Sequence, residues 1–208
     1  MKIQLINIGK RFGSNKAGWI FRDINQDFEL GKSYAVTGRN GAGKSTLLKI
    51  ISGGLTPTLG VVSFYNKLEE EVFWTDTSSL VNYAAPYMEL LEYLTLKEHV
   101  EFHFKFKKYV DGMNYEKFVQ AIEMDPHQNK LVKDFSSGMK QRLKLAFALY
   151  TENPIILLDE PTSNLDDQWS NWYLDEVQKI KSSRLLIIAS NQPNEYAFCE
   201  EVIGVGND

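Results

Sequence analysis

Residues 38–46 read Gly38, Arg39, Asn40, Gly41, Ala42, Gly43, Lys44, Ser45 and Thr46, which satisfies G-x-x-x-x-G-K-[ST] at every fixed position. Glycine lets the chain curl until successive backbone N–H groups turn inward, and such a curl binds phosphate oxygens. Lys44 supplies a point charge for the β- and γ-phosphates, and Ser45 a hydroxyl for Mg²⁺. A dinucleotide-binding turn does not fit, because Gly41-x-Gly43 is followed by Thr46 where that turn needs a third small residue. The chemistry implied is nucleoside-triphosphate binding.

A second chemical group lies far downstream. Ile155-Ile-Leu-Leu-Asp-Glu160 is an apolar run that ends in two adjacent carboxylates. Runs of this kind are buried in parallel sheets, and ligands collect at the carboxyl ends of such strands. Asp159 there can hold Mg²⁺, directly or through water, and Glu160 can polarise an attacking water. A third group, Phe135-Ser-Ser-Gly-Met-Lys-Gln-Arg142, opens a long helical pattern. Ser136 or Ser137 would cap that helix, leaving N–H groups aimed at an anion.

These groups need particular elements to position them. Lys2–Ile8 alternates polar and apolar residues, as a strand with one buried face does. Ser33–Thr37 predicts a short strand running into Gly38, and Lys44–Ser52 a helix stopped by Gly53 and Gly54. The glycine-rich loop therefore falls between a strand and a helix, the context it requires. Gly60–Tyr65 and Ser79–Tyr83 read as further strands. From Pro86 to Tyr150 aromatic and charged residues mix at helical spacing, through Leu96–Tyr109, Tyr115–Glu123 and Gly138–Tyr150. That texture predicts a helical subdomain inserted into an α/β core. An amphipathic helix near Asp166–Ser182 joins the apolar strands Ile155–Asp159 and Leu185–Ala189, a β-α-β unit with parallel strands.

The chain has 208 residues, about the size of a single domain over 1–208 with room for a second lobe. Hydrophobic residues make up 43% and charged residues 24%, which excludes disordered, collagen-like and disulfide-scaffold classes. A net charge of −4 argues against nucleic acid as the main partner, yet leaves room for an anion held by backbone N–H groups. The single cysteine, Cys199, excludes an intramolecular disulfide and a cysteine-only metal site. No segment approaches the roughly 18 continuous apolar residues of a spanning helix, and the N-terminus lacks the apolar stretch of a signal peptide. The expectation is a soluble, cytoplasmic protein, held at a membrane only through another chain. Lys105, Lys107 and Lys108 read as a solvated helix face.

The order of these groups resembles the ATP-binding subunit of ABC transporters. The resemblance runs from Asn7-Ile-Gly-Lys-Arg-Phe12 through Gly38–Thr46, Gly53-Gly-Leu-x-Pro57, Leu94-Thr-Leu-Lys-Glu98 and Ser136–Arg142 to Ile155–Glu160 and Ser163-Asn-Leu-Asp166. The Ser136–Arg142 form looks closest to exporter-type, ABC-2-like members. The resemblance implies an α/β P-loop NTPase fold with a mainly parallel core sheet, N-terminal antiparallel strands and an inserted helical subdomain at roughly 86–150. It implies ATP and Mg²⁺ as ligands, an ATP-dependent head-to-tail homodimer, and an integral-membrane permease as partner. Residue by residue, Phe12 resembles the aromatic that stacks on adenine, with Trp19 a second candidate. Ser136, Ser137 and Gly138 match the signature loop that caps the γ-phosphate held by the other subunit. The rival functions are a non-transport ATPase of the same type and an ATP-sensing module with weak turnover.

Three departures from the family pattern bear on function. The signature's leucine, first glycine and glutamine are Phe135, Ser137 and Met139, while Ser136 and Gly138 remain. The glutamine that contacts Mg²⁺ and the membrane partner is missing, and its place falls near Pro86, with Glu89 close by in sequence. A histidine that touches the γ-phosphate is replaced by Asn191, which can donate a hydrogen bond but cannot carry an imidazolium charge. Slow hydrolysis with greater reliance on Glu160 is expected. Tyr87, Met88 and Leu91 are expected to line an apolar groove that meets the permease.

Overall fold

The computed structural model describes residues 1–13, 18–73 and 76–206. Its elements run β1 (Lys2–Lys10), β2 (Phe21–Glu29), β3 (Ser33–Thr37), α1 (Lys44–Ile51), β4 (Leu59–Tyr65), β5 (Glu71–Val72) and β6 (Val81–Ala84). They continue with α2 (Leu96–Phe106), α3 (Tyr115–Ala121), α4 (Ser137–Tyr150), β7 (Ile155–Asp159), α5 (Asp167–Ile180), β8 (Leu185–Ala189), α6 (Pro193–Tyr196) and β9 (Glu201–Gly204). The chain divides into two compact units. The first comprises Met1–Tyr83, Asn153–Glu160 and Lys179–Asp208, and the second Ala84–Glu152 and Pro161–Gln178.

The first unit holds both sheets. A four-stranded sheet runs in the order β2-β1-β4-β5, with antiparallel pairing throughout. A five-stranded sheet runs β6-β7-β8-β3-β9, and β7, β8, β3 and β9 pair in parallel. Strands β7 and β8 are buried at every position, as their unbroken apolar runs require. Register decides where their ends fall: Val36 lies level with Ala189, and Ala189 with Asp159. The carboxyl ends of β3, β8 and β7 therefore open at one edge of the sheet. Behind that edge, Leu47, Leu48 and Ile51 of α1 join Ile3, Phe28, Leu157 and Ile187 in one continuous core. Strand β2 has no apolar run, and buries only Phe21 and Phe28 at its ends. The predicted strand Ser79–Tyr83 starts later, at Val81, because Thr77–Ser79 forms a single helical turn first.

The second unit is helical. Each of its principal helices opens on a side-chain cap. Thr95 and Glu98 form a reciprocal capping box on α2, Asn114 accepts from Lys117 N, and Ser136 accepts from Met139 N. Of the two serines proposed as cap for α4, Ser136 is the one. Helix α2 stops at Phe106, short of the expected Tyr109, which instead bridges Thr151. An aromatic cluster fills the interior: Phe147 lies 5.4 Å from Phe118 and 4.3 Å from His103, which stacks on it. The ring Nε2 of His103 is 2.9 Å from Thr151 Oγ1. Burial pushes the imidazoles of His99 and His103 down to about 4, so both are neutral near pH 7.

Candidate functional site

The loop after β3 is shaped by what a side chain would strike. Gly38 has φ 148, and a Cβ there would collide with the Val205 carbonyl oxygen. Gly43 has φ 104, and a Cβ would lie 2.5 Å from Ile20 Cγ2 and 2.7 Å from Phe21 Cδ1. Both positions thus demand glycine on conformational and steric grounds. Gly43 is also the N-cap of α1 and caps it with no side chain, so the positive end of the helix is left open to an anion. Lys44 is only 5% exposed, and its Nζ donates to the carbonyls of Gly38 at 2.9 Å and Arg39 at 3.4 Å. The ammonium is folded over the loop it serves. Arg39, Asn40 and Gly41 are exposed, while Ala42, Ser45 and Thr46 are half-buried.

The two carboxylates at the end of β7 have opposite environments. Asp159 is 1% exposed, and the Tyr83 hydroxyl donates to its Oδ2 at 3.4 Å. Glu160 is exposed, with φ 43, a left-handed conformation uncommon for a residue with a side chain. Its backbone N–H donates to the Ala189 carbonyl at 2.8 Å, which ties it to β8. Just past β8, Asn191 donates from Nδ2 to Asn40 Oδ1 at 2.5 Å. The structure thus brings Asn191 onto the phosphate-binding loop, 151 residues away in sequence. Tyr83 and the Asn40–Asn191 pairing escaped the sequence reading. Only strand order puts β6 beside β7 and β8 beside β3, and no local motif signals it.

A magnesium ion suits the donors found here. Ser45 offers a hydroxyl and Asp159 a buried carboxylate, both hard oxygen ligands, and Mg²⁺ is usually held by one or two carboxylates plus substrate phosphates. Phe12 is 55% exposed, with Lys10 Nζ over its ring, 5.0 Å from the centre. Trp19 is half-buried, with the Arg11 guanidinium 4.9 Å from its ring.

In the second unit, Ser136 and Ser137 begin α4, and Gly138 lies against the Asn164 carbonyl oxygen, 3.0 Å from where a Cβ would stand. Residues 86–93 with Lys140 and Lys144 line a groove of about 480 Å³. Tyr87, Met88 and Leu91 are 46%, 38% and 47% exposed, so they lie at the surface rather than in a core. Where the family's glutamine is expected, the Pro86 carbonyl accepts from Lys144 Nζ. Among the described residues, no helix is long and apolar enough to cross a membrane.

Comparison with known proteins agrees with this geometry. The family profile described as "ABC transporter" matches residues 21–163. The chain is 29% identical to the ABC transporter ATP-binding protein NatA of Bacillus subtilis, over 97% of this chain and 84% of that protein. It is 34% identical to the ABC-type organic anion transporter ABCA8B of Mus musculus, over 79% of this chain and 10% of that protein. Several curated relatives are much longer than this chain, which spans 10%, 38% and 43% of three of them. A dimeric ATP-binding cassette solved in a post-hydrolysis state with ADP and Pi superposes with a TM-score of 0.82 at 25% identity, covering 98% of this chain and 94% of that one. The phosphate-binding loop, the paired carboxylates at the end of β7 and a family match over most of the chain together lead to one conclusion: the chain belongs to the ABC transporter family, as an ATP-binding cassette.

Proposed function

We propose that this chain is the ATP-hydrolysing subunit of a transporter, working as a head-to-tail dimer beneath a separate membrane permease. The observation that carries the proposal is the level register of β3, β8 and β7. It delivers the phosphate-binding loop, Asn191 and the Asp159–Glu160 pair to one edge of one sheet. The open N-terminus of α1 and the loop amides bind the β- and γ-phosphates, and Lys44 shares its ammonium with them. Mg²⁺, when bound, is held by Ser45 and Asp159 and neutralises phosphate charge. Phe12 stacks on the adenine. Glu160 accepts a proton from the attacking water as the new P–O bond forms on the γ-phosphorus and the bond to the β-phosphate oxygen breaks. Asn191 donates a hydrogen bond to the γ-phosphate from an amide that carries no charge of its own. Most of the catalysis is positioning and electrostatics.

Ser136, Ser137 and Gly138 cap the γ-phosphate bound by the partner subunit, so two chains close around two nucleotides. The groove lined by Tyr87, Met88 and Leu91 receives the permease, which holds the cassette at the inner face of the cell membrane. The dimer is tested with Glu160→Gln, which keeps shape but removes the base. At saturating Mg-ATP, light scattering should report the mass of two chains; a mass that stays monomeric overturns the proposed arrangement.

A further inference from the structure

Gly9 of β1 lies opposite Leu59 of β4, so the chain leaving β1 runs beside the chain entering β4. The two are tied together there. Thr58 N–H donates to the Gly9 carbonyl at 2.8 Å. Arg11 N–H donates to Thr58 Oγ1 at 3.3 Å, and the same hydroxyl donates back to the Arg11 carbonyl at 3.3 Å. That carbonyl belongs to the peptide joining Arg11 to Phe12, so Thr58 holds the backbone that carries the Phe12 ring. The ring itself meets Lys10. Lys10 Nζ donates to the Thr56 carbonyl at 2.7 Å and stands over the Phe12 ring, 5.0 Å from its centre. An ammonium within about 6 Å of a ring centre is drawn to the π face, and the short bond to Thr56 keeps this one from swinging on its flexible stem. Phe12 is nonetheless 55% exposed. A planar ring has two faces, and with Lys10 on one, a base has the other to stack on. All these residues lie in the first unit, and Thr56 and Thr58 follow α1, the helix that opens on the phosphate-binding loop.

We propose that Lys10 is a positioning residue for the nucleotide base. Anchored on the Thr56 carbonyl, its ammonium holds the Phe12 ring by one face and presents the opposite face to the adenine. The inference rests on the stacking role proposed above for Phe12, and adds a residue that acts on the base only through that ring. Without the ammonium the ring turns about its side-chain torsions and must be ordered again each time a nucleotide binds. Affinity then falls, while the chemistry at the γ-phosphate is unchanged.

The test uses the full chain. Calorimetry gives the Kd of Mg-ADP, which carries the base but is not turned over, and phosphate release from Mg-ATP gives KM and kcat. Lys10→Met keeps the stem and removes the ammonium. It should raise Kd and KM about two- to fivefold, the size of an exposed cation–π contact, with kcat within about 1.5-fold of wild type. Lys10→Arg keeps a cation over the ring and should hold Kd within about 1.5-fold of wild type. In a Phe12→Ala background, where no ring remains to hold, Lys10→Met should leave Kd unchanged, which a merely structural role would not produce. Lys10→Gln carries the comparison if Lys10→Met does not fold. An unchanged Kd in the Lys10→Met chain, or an equal loss with and without the Phe12 ring, overturns the role assigned to Lys10. If Phe12→Ala alone leaves Kd unchanged, the stacking role of Phe12 fails and this inference falls with it. A loss in Phe12→Ala with none in Lys10→Met strikes the inference and spares the stacking role.

Discussion

Asn191 offers the sharpest quantitative test of the site. Its Nδ2 lies 2.5 Å from Asn40 Oδ1, so a donor at this position reaches the loop to which we assign the phosphates. A hydrogen bond from an uncharged amide to an anionic phosphate contributes about 1.5–3 kcal/mol, and an imidazolium donor adds direct charge attraction to that bond. Asn191→His supplies an imidazolium in place of an amide, worth about 1–3 kcal/mol in the transition state, or about tenfold or more in rate. Asn191→Ala removes the donor and should slow turnover further, by about tenfold. Steady-state phosphate release at saturating Mg-ATP measures all three proteins. The gain from histidine should grow as pH falls from about 8 to about 6, since only the protonated ring carries the charge. Equal kcat in all three would refute the reasoning. The next residue to test would then be Gln192, whose N–H donates to Ser190 Oγ at 2.9 Å.

Gly43→Ala would drive a methyl into Ile20 and Phe21 at a φ of 104, and should destabilise the chain by about 1–3 kcal/mol in urea titrations. Ser136→Ala removes the cap on α4 and should cost about 1 kcal/mol, read as a fall in Tm of about 2–4 °C. The buried imidazoles of His99 and His103 titrate near 4 in the fold against about 6.5 unfolded, so between those values the unfolded chain binds more protons. Their contribution to stability is complete above about pH 6.5 and is lost as pH falls toward 4; a His99→Phe, His103→Gln double variant should show a shallower fall in Tm across that window. Glutamate at Tyr87 or Met88 should leave Tm unchanged, because both side chains are exposed, and should abolish capture by the permease.

Much of the first unit is legible in sequence because its motifs and its strand signals coincide. Ser33–Thr37, Lys44–Ile51, Ile155–Asp159 and Leu185–Ala189 each pair an apolar run with a functional terminus, and each stands where its pattern predicts. Strand β2 was hidden because Phe21-Arg-Asp-Ile-Asn-Gln-Asp-Phe-Glu29 places few apolar residues inward, as an edge strand can. Strand β9 is equally mute: Glu201–Gly204 is an edge strand with mostly exposed side chains. In the site, Lys44, Asp159 and Glu160 announce themselves by motif. The link from Asn191 to Asn40 depends on β8 lying beside β3, and the bond from the buried Gln141 amide to the Pro161 carbonyl depends on α4 lying beside the segment that starts at Pro161. Both are long-range contacts that no local pattern encodes.

The most direct measurement of the central claim is ATP turnover by purified Lys44→Ala beside wild type. Lys44 is buried over the phosphate-binding loop with its ammonium on the Gly38 and Arg39 carbonyls, and its removal deletes the cation assigned to the β- and γ-phosphates. The account predicts that wild type releases phosphate from Mg-ATP while a folded Lys44→Ala chain binds ATP weakly and releases none. Wild-type turnover in that variant would contradict it.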